Sequence, residues 1–415
     1  MQNKKMLPLI NRCLCDFSLL KNVKFLSLGL LFFFSISHAQ TNSLQANIEF
    51  SVYKGVVQGQ FVSFAREDVM APKVEETKNV NRPGDFKIEI IENKKVTRRL
   101  FFSSLAAEWA AMCHDDSCKK QIFNESFRLT LPAKTFVIRL KILDAYSGKW
   151  RVLDSAKIEP NRLMLSSAIN HKQRMLWSVP SAKVTSVAFI PDGYGQDSVA
   201  FYADCKRFTE GFLKASPFDS LKQFIQLKAL FFPSDTASIC TFQTLGIPRY
   251  LSVNKRFELA RRLAGIQADH IVVISKTEEY GGSGFYNNYA VVSSSNRWSI
   301  KVLLHEFGHS FGGLGDEYVT DTAFCVIPQA GVDCAYPNVS SLPNGKVKWA
   351  KFIKKSTPVP TPVESHYKYE VGVYEGASYC PRHLYRPYQK CLMRELAPGV
   401  FCPVCREAVV KRLLK

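Results

Sequence analysis

Within LLHEFGHSFGGLGDEY, Leu303–Tyr318, two histidines, His305 and His309, stand four residues apart, and Glu306 adjoins the first. On an α-helix, residues i and i+4 share one face, one turn apart, so both imidazoles can turn a ring nitrogen toward a single ion. Glu306 projects about 100° further round the axis, which sets its carboxylate beside such an ion. From there it can take a proton from a water that the ion acidifies and hand it to a leaving amine. This is chemistry that zinc supports. A zinc ion that performs it has three protein donors and one open position, so the two histidines leave a donor to be found.

Gly312-Gly313 would stop the helix and let the chain turn back. The common metzincin spacing places the third donor ten residues after the first histidine, which here is Gly315, a residue without a donor atom. Asp316 and Glu317 follow, and both offer hard oxygen donors. The short Asp316, directly after the turn, is the simpler third ligand. Glu317 is the alternative ligand, or a partner that orients a histidine from behind. Tyr318 and Tyr385 are candidate hydrogen-bond donors to a developing oxyanion, although each can equally be a packing residue.

These residues need a scaffold. From Val184 onward, strand-like and helix-like stretches alternate. VTSVAFI (184–190), FIQLKALFF (224–232), HIVVIS (270–275) and NYAVVS (288–293) read as buried strands. Asp197–Lys214 repeats Val199, Phe201, Tyr202, Cys205, Phe208 and Phe212 at helical spacing, Asn254–Gly265 reads as a helix ended by glycine, and a further helix from about Trp298 carries the histidines. The expectation is an α+β or α/β domain over residues 183–415, with a sheet packed on helices. NYAVVS is expected at the sheet edge, where an extended substrate backbone could pair. Residues 40–160 read differently: NIEFSVY, FKIEIIE, SFRLTL and FVIRLKIL are separated by turn-forming pieces, which predicts a β-sandwich-like domain with one helical insertion near SSLAAEWAAM. Residues 161–182 are expected as a linker.

The hydrophobic fraction of 46% is that of a globular protein. Residues 1–39 combine five basic side chains, the apolar run FLSLGLLFFFSIS and Ser37-His38-Ala39, the pattern of a cleaved export signal. The run is short for a membrane span, so no stable span is expected. The implied location is secreted, periplasmic or cell-surface, in a bacterium. The signal also holds one acidic residue, so the remainder carries +15 of the total +19. The basic residues are scattered and match no nucleic-acid motif, so the charge reads as a generic solvated basic surface or as one that meets acidic surfaces or substrates. Ten of the twelve cysteines follow the signal, and an even number in an exported chain reads as disulfides. Cys113 and Cys118 could close one small loop and Cys325 and Cys334 another. Cys402-x-x-Cys405 lacks the second pair of a zinc ribbon and the βαβ start of a redox site; a structural disulfide role involving Cys391 or Cys380 is expected for it.

HEFGHSFGGLGDEY resembles the signature of the IgA-peptidase family of zinc metallopeptidases. YEGASYCPRHLYRPYQKCLMREL (374–396) and FCPVC (401–405) resemble its downstream segments, while FIPDGYG and the Gly281–Gly284 stretch are compatible but less specific. The resemblance implies a metzincin-like catalytic domain with a β-rich domain before it. It also implies that Asp316 is the third zinc ligand and that Met393 is the methionine forming an apolar floor under the histidines. The reading is thus a secreted zinc endopeptidase acting on protein or peptide substrates, with host glycoproteins as candidates; the sequence does not reveal the oligomeric state. Two other readings are a surface-binding module retaining a zinc fold without turnover, which the intact Glu306 opposes, and a zinc amidase acting on cell-wall-type substrates.

Overall fold

The computed structural model describes residues 42–415 apart from 79–82, 114–117, 145–146, 167, 182 and 321–335. The expected export signal and the Cys325–Cys334 loop lie outside the described residues. The chain begins with β1 (Ser43–Tyr53), β2 (Val56–Glu67), β3 (Phe86–Glu92), β4 (Lys95–Phe102), α1 (Leu105–Met112), β5 (Gln121–Thr130), β6 (Phe136–Leu143) and β7 (Trp150–Ile158). These strands form two antiparallel sheets, ordered β2-β1-β5 and β4-β3-β6-β7. Side chains alternate between the two faces of a strand, so Leu44, Ala46, Ile48, Phe50 and Val52 of β1 all point one way. They meet Phe86, Ile88 and Ile90 of β3 and Phe136, Ile138 and Leu140 of β6 in a single core. Ser104 caps α1 by accepting a hydrogen bond from the Ala106 amide at 3.2 Å, which satisfies one of the free amides of a helix start.

Next come β8 (Lys172–Trp177), β9 (Thr185–Asp192), α2 (Ser198–Lys214), β10 (Ile225–Phe231), β11 (Cys240–Thr241), β12 (Ser252–Val253) and α3 (Arg256–Leu263). They are followed by β13 (His270–Ser275), β14 (Gly282–Phe285), β15 (Tyr289–Ser293), α4 (Ser299–Ser310), β16 (Tyr374–Ala377), β17 (Cys380–Arg386) and α5 (Pro403–Leu413). Six of these strands make the central sheet, ordered β14-β15-β13-β9-β10-β8. The inner four run parallel, and the two edge strands run antiparallel to their neighbours. Strands buried on both faces must be apolar throughout: Val187 and Phe189 of β9 join Phe201, Phe212, Leu303 and Phe307 on one face, while Ala188 and Ile190 join Leu230, Val273 and Leu259 on the other. The molecule is thus mostly β-sheet, with five α-helices among the described residues.

One expectation is overturned. NYAVVS, β15, is not an edge strand; it lies between β14 and β13. The edge on that side is β14, whose Gly-Ser-Gly-Phe sequence carries little of the β-branched signal by which strands are read. Residues 161–182, expected as a connection, supply the other edge, β8, which pairs with β10. The first sheets also dock on the later part of the chain. Arg256 Nε lies 3.0 Å from Glu125 Oε2, Asn288 Nδ2 donates to the same oxygen at 2.9 Å, and Arg128 donates to the Leu263 and Ile266 carbonyls at 2.9 Å each. Arg256 and Glu125 are both buried, so each depends on the other for its charge to be tolerated.

Candidate metal centre

Helix α4 is amphipathic. Val302, Leu303 and Phe307 enter the core, where the Phe307 ring meets Phe212 and Phe218 edge-on at 5.0 and 5.6 Å. His305 and His309 face the other way and retain 13% and 16% side-chain exposure. Their Nδ1 atoms lie 2.9 Å from the Leu392 carbonyl and 2.7 Å from the Leu314 carbonyl. A carbonyl oxygen can only accept, so Nδ1 carries a proton in both rings and Nε2 is the ring atom left to meet an ion. The two Nε2 atoms are 3.1 Å apart.

Beyond the helix, Gly313 adopts a left-handed φ of +65°, which glycine accommodates without a Cβ clash. Its amide returns to the His309 carbonyl at 3.0 Å, and that of Leu314 to Gly308 at 3.1 Å. A side chain at Gly315 would meet the Tyr336 ring at 2.9 Å and Val339 at 3.0 Å, so this position could not hold a ligand even if it were substituted. Asn338 fastens the loop there, accepting from the Gly315 amide at 2.8 Å and donating to its carbonyl at 2.9 Å. The next residue, Asp316, sets Oδ1 3.2 Å from both histidine Nε2 atoms. That oxygen is buried and receives no hydrogen bond. Its other oxygen, Oδ2, accepts from the Tyr379 hydroxyl at 2.6 Å.

Three potential ligand atoms, the two Nε2 and Asp316 Oδ1, therefore converge within 3.2 Å of one another. Donors bound at 2.0–2.1 Å to one tetrahedral ion sit about 3.3 Å apart, so the residues fit a small divalent cation. The Glu306 carboxylate joins the two imidazoles with all three ligand atoms within 4.8 Å of one another. It lies against the glycine strand: a Cβ on Gly282 would stand 3.0 Å from Glu306 Cγ, and one on Gly284 would collide with the Glu306 carbonyl. The glycines that weaken β14 as a strand signal are what allow it to reach the helix here.

The charges follow from this arrangement without a cation. Burial alone would depress the His309 pKa, but Asp316 beside it outweighs burial and raises it to about 9. His305 moves up for the same balance of reasons. Burial pushes Asp316 upward, yet the two imidazoles hold it well below the usual carboxylate range. Burial raises the Glu306 pKa, with the histidines opposing.

Met393 is fully buried, and its Sδ would lie 2.7 Å from a Cβ placed on Gly308, so it packs against α4 between the two histidines. Tyr318 stacks edge-on against Tyr379 at 5.2 Å, donates to its hydroxyl at 3.4 Å and accepts from Arg249 Nη2 at 3.3 Å. Tyr385 stands apart: it pairs opposite Glu375 in the β16–β17 hairpin, and Glu375 is its electrostatic neighbour. Tyr379, Arg249 and Asn338 escaped the sequence reading. Tyr379 occupies the tight β16–β17 turn with φ +67°, a conformation costly for a bulky residue, and it is held there by its amide on the Tyr318 carbonyl at 3.0 Å and its hydroxyl on Asp316. Only its place in the YEGASYC stretch hinted at it.

Glu317 points away from the histidines. It is wholly buried; Oε1 accepts from Asn338 at 2.9 Å and lies 3.0 Å from Cys405 Sγ. The cysteine expectations divide. Cys113 and Cys118 are joined, and Cys380 is disulfide-bonded. Cys391, Cys402 and Cys405 are free thiols, as are Cys205 and Cys240, which corrects the disulfide role expected of Cys402-x-x-Cys405. Cys391 and Cys405 sulfurs face each other across 3.8 Å, nearly twice the length of an S–S bond, about 2.05 Å.

A helix presenting two imidazoles, a carboxylate returning from the following turn and a glutamate alongside supply the donor set and the base that a metal-dependent hydrolase would need. The model of one family, IgA peptidase M64, matches residues 174–369 and 363–413, and the chain belongs to this family of metallopeptidases. No curated protein matches the chain.

Proposed function

We propose that the chain is a zinc-dependent endopeptidase, exported through residues 1–39 and acting on extracellular proteins. Its catalytic domain, from about residue 183, would be metzincin-like, and the preceding β-rich domain a sandwich. His305, His309 and Asp316 would hold the ion. The observation that carries this reading is the convergence of their three ligand atoms within 3.2 Å of one another, with Glu306 alongside. When bound, zinc would acidify a water and polarise the scissile carbonyl.

The chain's own groups do the rest. Glu306 accepts the water's proton on its carboxylate and returns it to the leaving amine; its raised pKa suits both roles. The Leu392 and Leu314 carbonyls fix the imidazole tautomers. Tyr379 restrains Asp316 through Oδ2 and leaves Oδ1 for the ion. Tyr318, whose hydroxyl bonds to Arg249 and Tyr379, would turn that hydroxyl toward the oxyanion. An extended substrate would pair along β14, the edge strand next to Glu306, beyond Gly282, whose amide already donates to the Arg249 carbonyl at 3.4 Å. No helix among the described residues is long and apolar enough to cross a membrane.

The test is Glu306→Gln. Peptide cleavage should fall by about 10²–10⁴-fold, while metal analysis shows the same zinc content as the parent chain. Full activity in the variant would sink the mechanism.

A further inference from the structure

Behind the histidine site lies a second group of potential ligands that the proposed hydrolysis does not use. The ligand atoms of Glu317, Cys391, Cys402 and Cys405 all lie within 4.8 Å of one another, and all four residues are buried. They come from three separate segments: the turn after α4, the loop after β17, and the N-terminus of α5. Cys402 is the residue preceding α5 and Cys405 lies in its first turn, the Cys-x-x-Cys spacing by which one helix start offers two thiolates to one ion. The 3.8 Å between Cys391 and Cys405 sulfurs matches two thiolates bound at about 2.3 Å to a single tetrahedral zinc, whose sulfurs sit about 3.8 Å apart. The Cys402 amide donates to Cys391 Sγ at 3.3 Å, the kind of supporting hydrogen bond that orients a ligand sulfur.

Glu317 is an independent sign. Its Oε2 is buried with no hydrogen-bond partner, in a residue that is 0% exposed. A carboxylate oxygen left in that state is costly unless a cation meets it. We propose that Cys391, Cys402, Cys405 and Glu317 bind a second divalent metal ion, zinc in its resident form, in a closed four-donor site. Binding releases the thiol protons to solvent, so three thiolates and a carboxylate surround the dication. The excess negative charge faces the N-terminus of α5 and the buried Arg386, which interacts electrostatically with Glu317.

The site would tie together the supports of the first one. Glu317 directly follows Asp316, and its amide donates to the Met393 carbonyl at 2.8 Å. Cys391 directly precedes Leu392, whose carbonyl fixes His305. A bound ion there would fix both segments relative to α5 without touching substrate.

The experiment counts metal and reads sulfur ligation without using peptidase activity, so it stands whether or not the proposed hydrolysis does. The full chain and its His305→Ala/His309→Ala variant are purified under reducing, anaerobic conditions and loaded with zinc or cobalt(II). Two equivalents are expected in the parent and one in the histidine variant. The cobalt form of that variant should show thiolate-to-cobalt charge-transfer absorption in the near ultraviolet. Cys402→Ser/Cys405→Ser should lose that absorption and one equivalent of metal; should it fail to fold, the parent and the histidine variant decide alone. A histidine variant that takes up no metal overturns the proposal. So does a cobalt spectrum without the thiolate band, or a Cys391–Cys405 disulfide that resists alkylation in the protein purified without reductant.

Discussion

Asp316 and Glu317 are neighbours in sequence, similar in chemistry, and serve opposite surroundings. Asp316 faces two imidazoles that keep 13% and 16% side-chain exposure, and three donors converge there. Glu317 faces three thiols, and every member of its group is buried. Metal sites that do chemistry keep an open position, whereas sites that hold structure are closed by four donors. A group whose two imidazoles keep some exposure and a group whose four members are all buried are the two halves of that rule, reached from consecutive residues. The division comes from the backbone: directly after Gly315 the side chain of Asp316 projects toward the histidines of α4, and that of Glu317 toward Cys405 of α5.

Substituting the two acids separately tests this division most strongly. Asp316→Ala removes a direct donor from the open group, so its loss of metal affinity should exceed the roughly 10–100-fold typical of a lost supporting partner, and cleavage should fall with it. Glu317→Ala should leave the histidine site able to bind metal. Its cost should appear as stability, on the order of 1–3 kcal/mol, because Asn338 loses a buried acceptor. Equilibrium dialysis with zinc and thermal melts separate the two outcomes. If Glu317→Ala empties the histidine site while Asp316→Ala spares it, the roles of the two acids are reversed.

A smaller effect is expected where the two groups touch. Met393 follows Cys391 by two residues and packs against Gly308 on α4. A methyl there would stand 2.7 Å from Sδ and 3.0 Å from the Phe401 ring, so Gly308→Ala should destabilise by about 1–3 kcal/mol from overpacking, less the gain in helix propensity. In a Met393→Ala background the same substitution should cost less, since the colliding atom is gone. An equal penalty in both backgrounds, measured by denaturant unfolding, would show that the contact is not the cause.

Much of this was legible because local chemistry and tertiary role agree. The apolar periodicity of α2 and the β-branched runs of β9 and β13 mark their elements, and the register of His305, Glu306 and His309 follows from helix geometry alone. Edge strands were not legible. β8 starts with three polar residues and is largely exposed, and β14 is glycine-rich, so neither carries the apolar signature of its neighbours; misreading β14 turned interior β15 into an edge. The thiol cluster was misread for a different reason. Cys-x-x-Cys supplies only two ligands, and the other two come from Cys391 and from Glu317, 85 residues before Cys402. No spacing rule spans that distance. Tyr379 was hidden likewise, since its role depends on a strained turn that brings it over Asp316.

His270 sharpens the comparison from outside both groups, with the smallest effect. It sits at the start of β13, fully buried against the Phe307 and Phe311 rings, with Nε2 3.0 Å from the Ser310 hydroxyl, one residue beyond His309. Unlike His305 and His309 it has no carboxylate beside it. Burial, with a further push from Arg412, lowers its pKa to about 3. The unfolded chain binds a proton at this residue below about pH 6.5, whereas the folded chain does so only near pH 3, so its contribution to stability is full above 6.5 and declines as pH falls between those values. At pH 5.5 the loss is about 1.4 kcal/mol. His270→Gln removes the titration, so whatever the substitution costs at pH 8 should shrink by that amount at pH 5.5. Chemical denaturation of both chains at the two pH values measures it, and a penalty that does not change with pH would mean that His270 takes up its proton in the folded protein, as the two site histidines do.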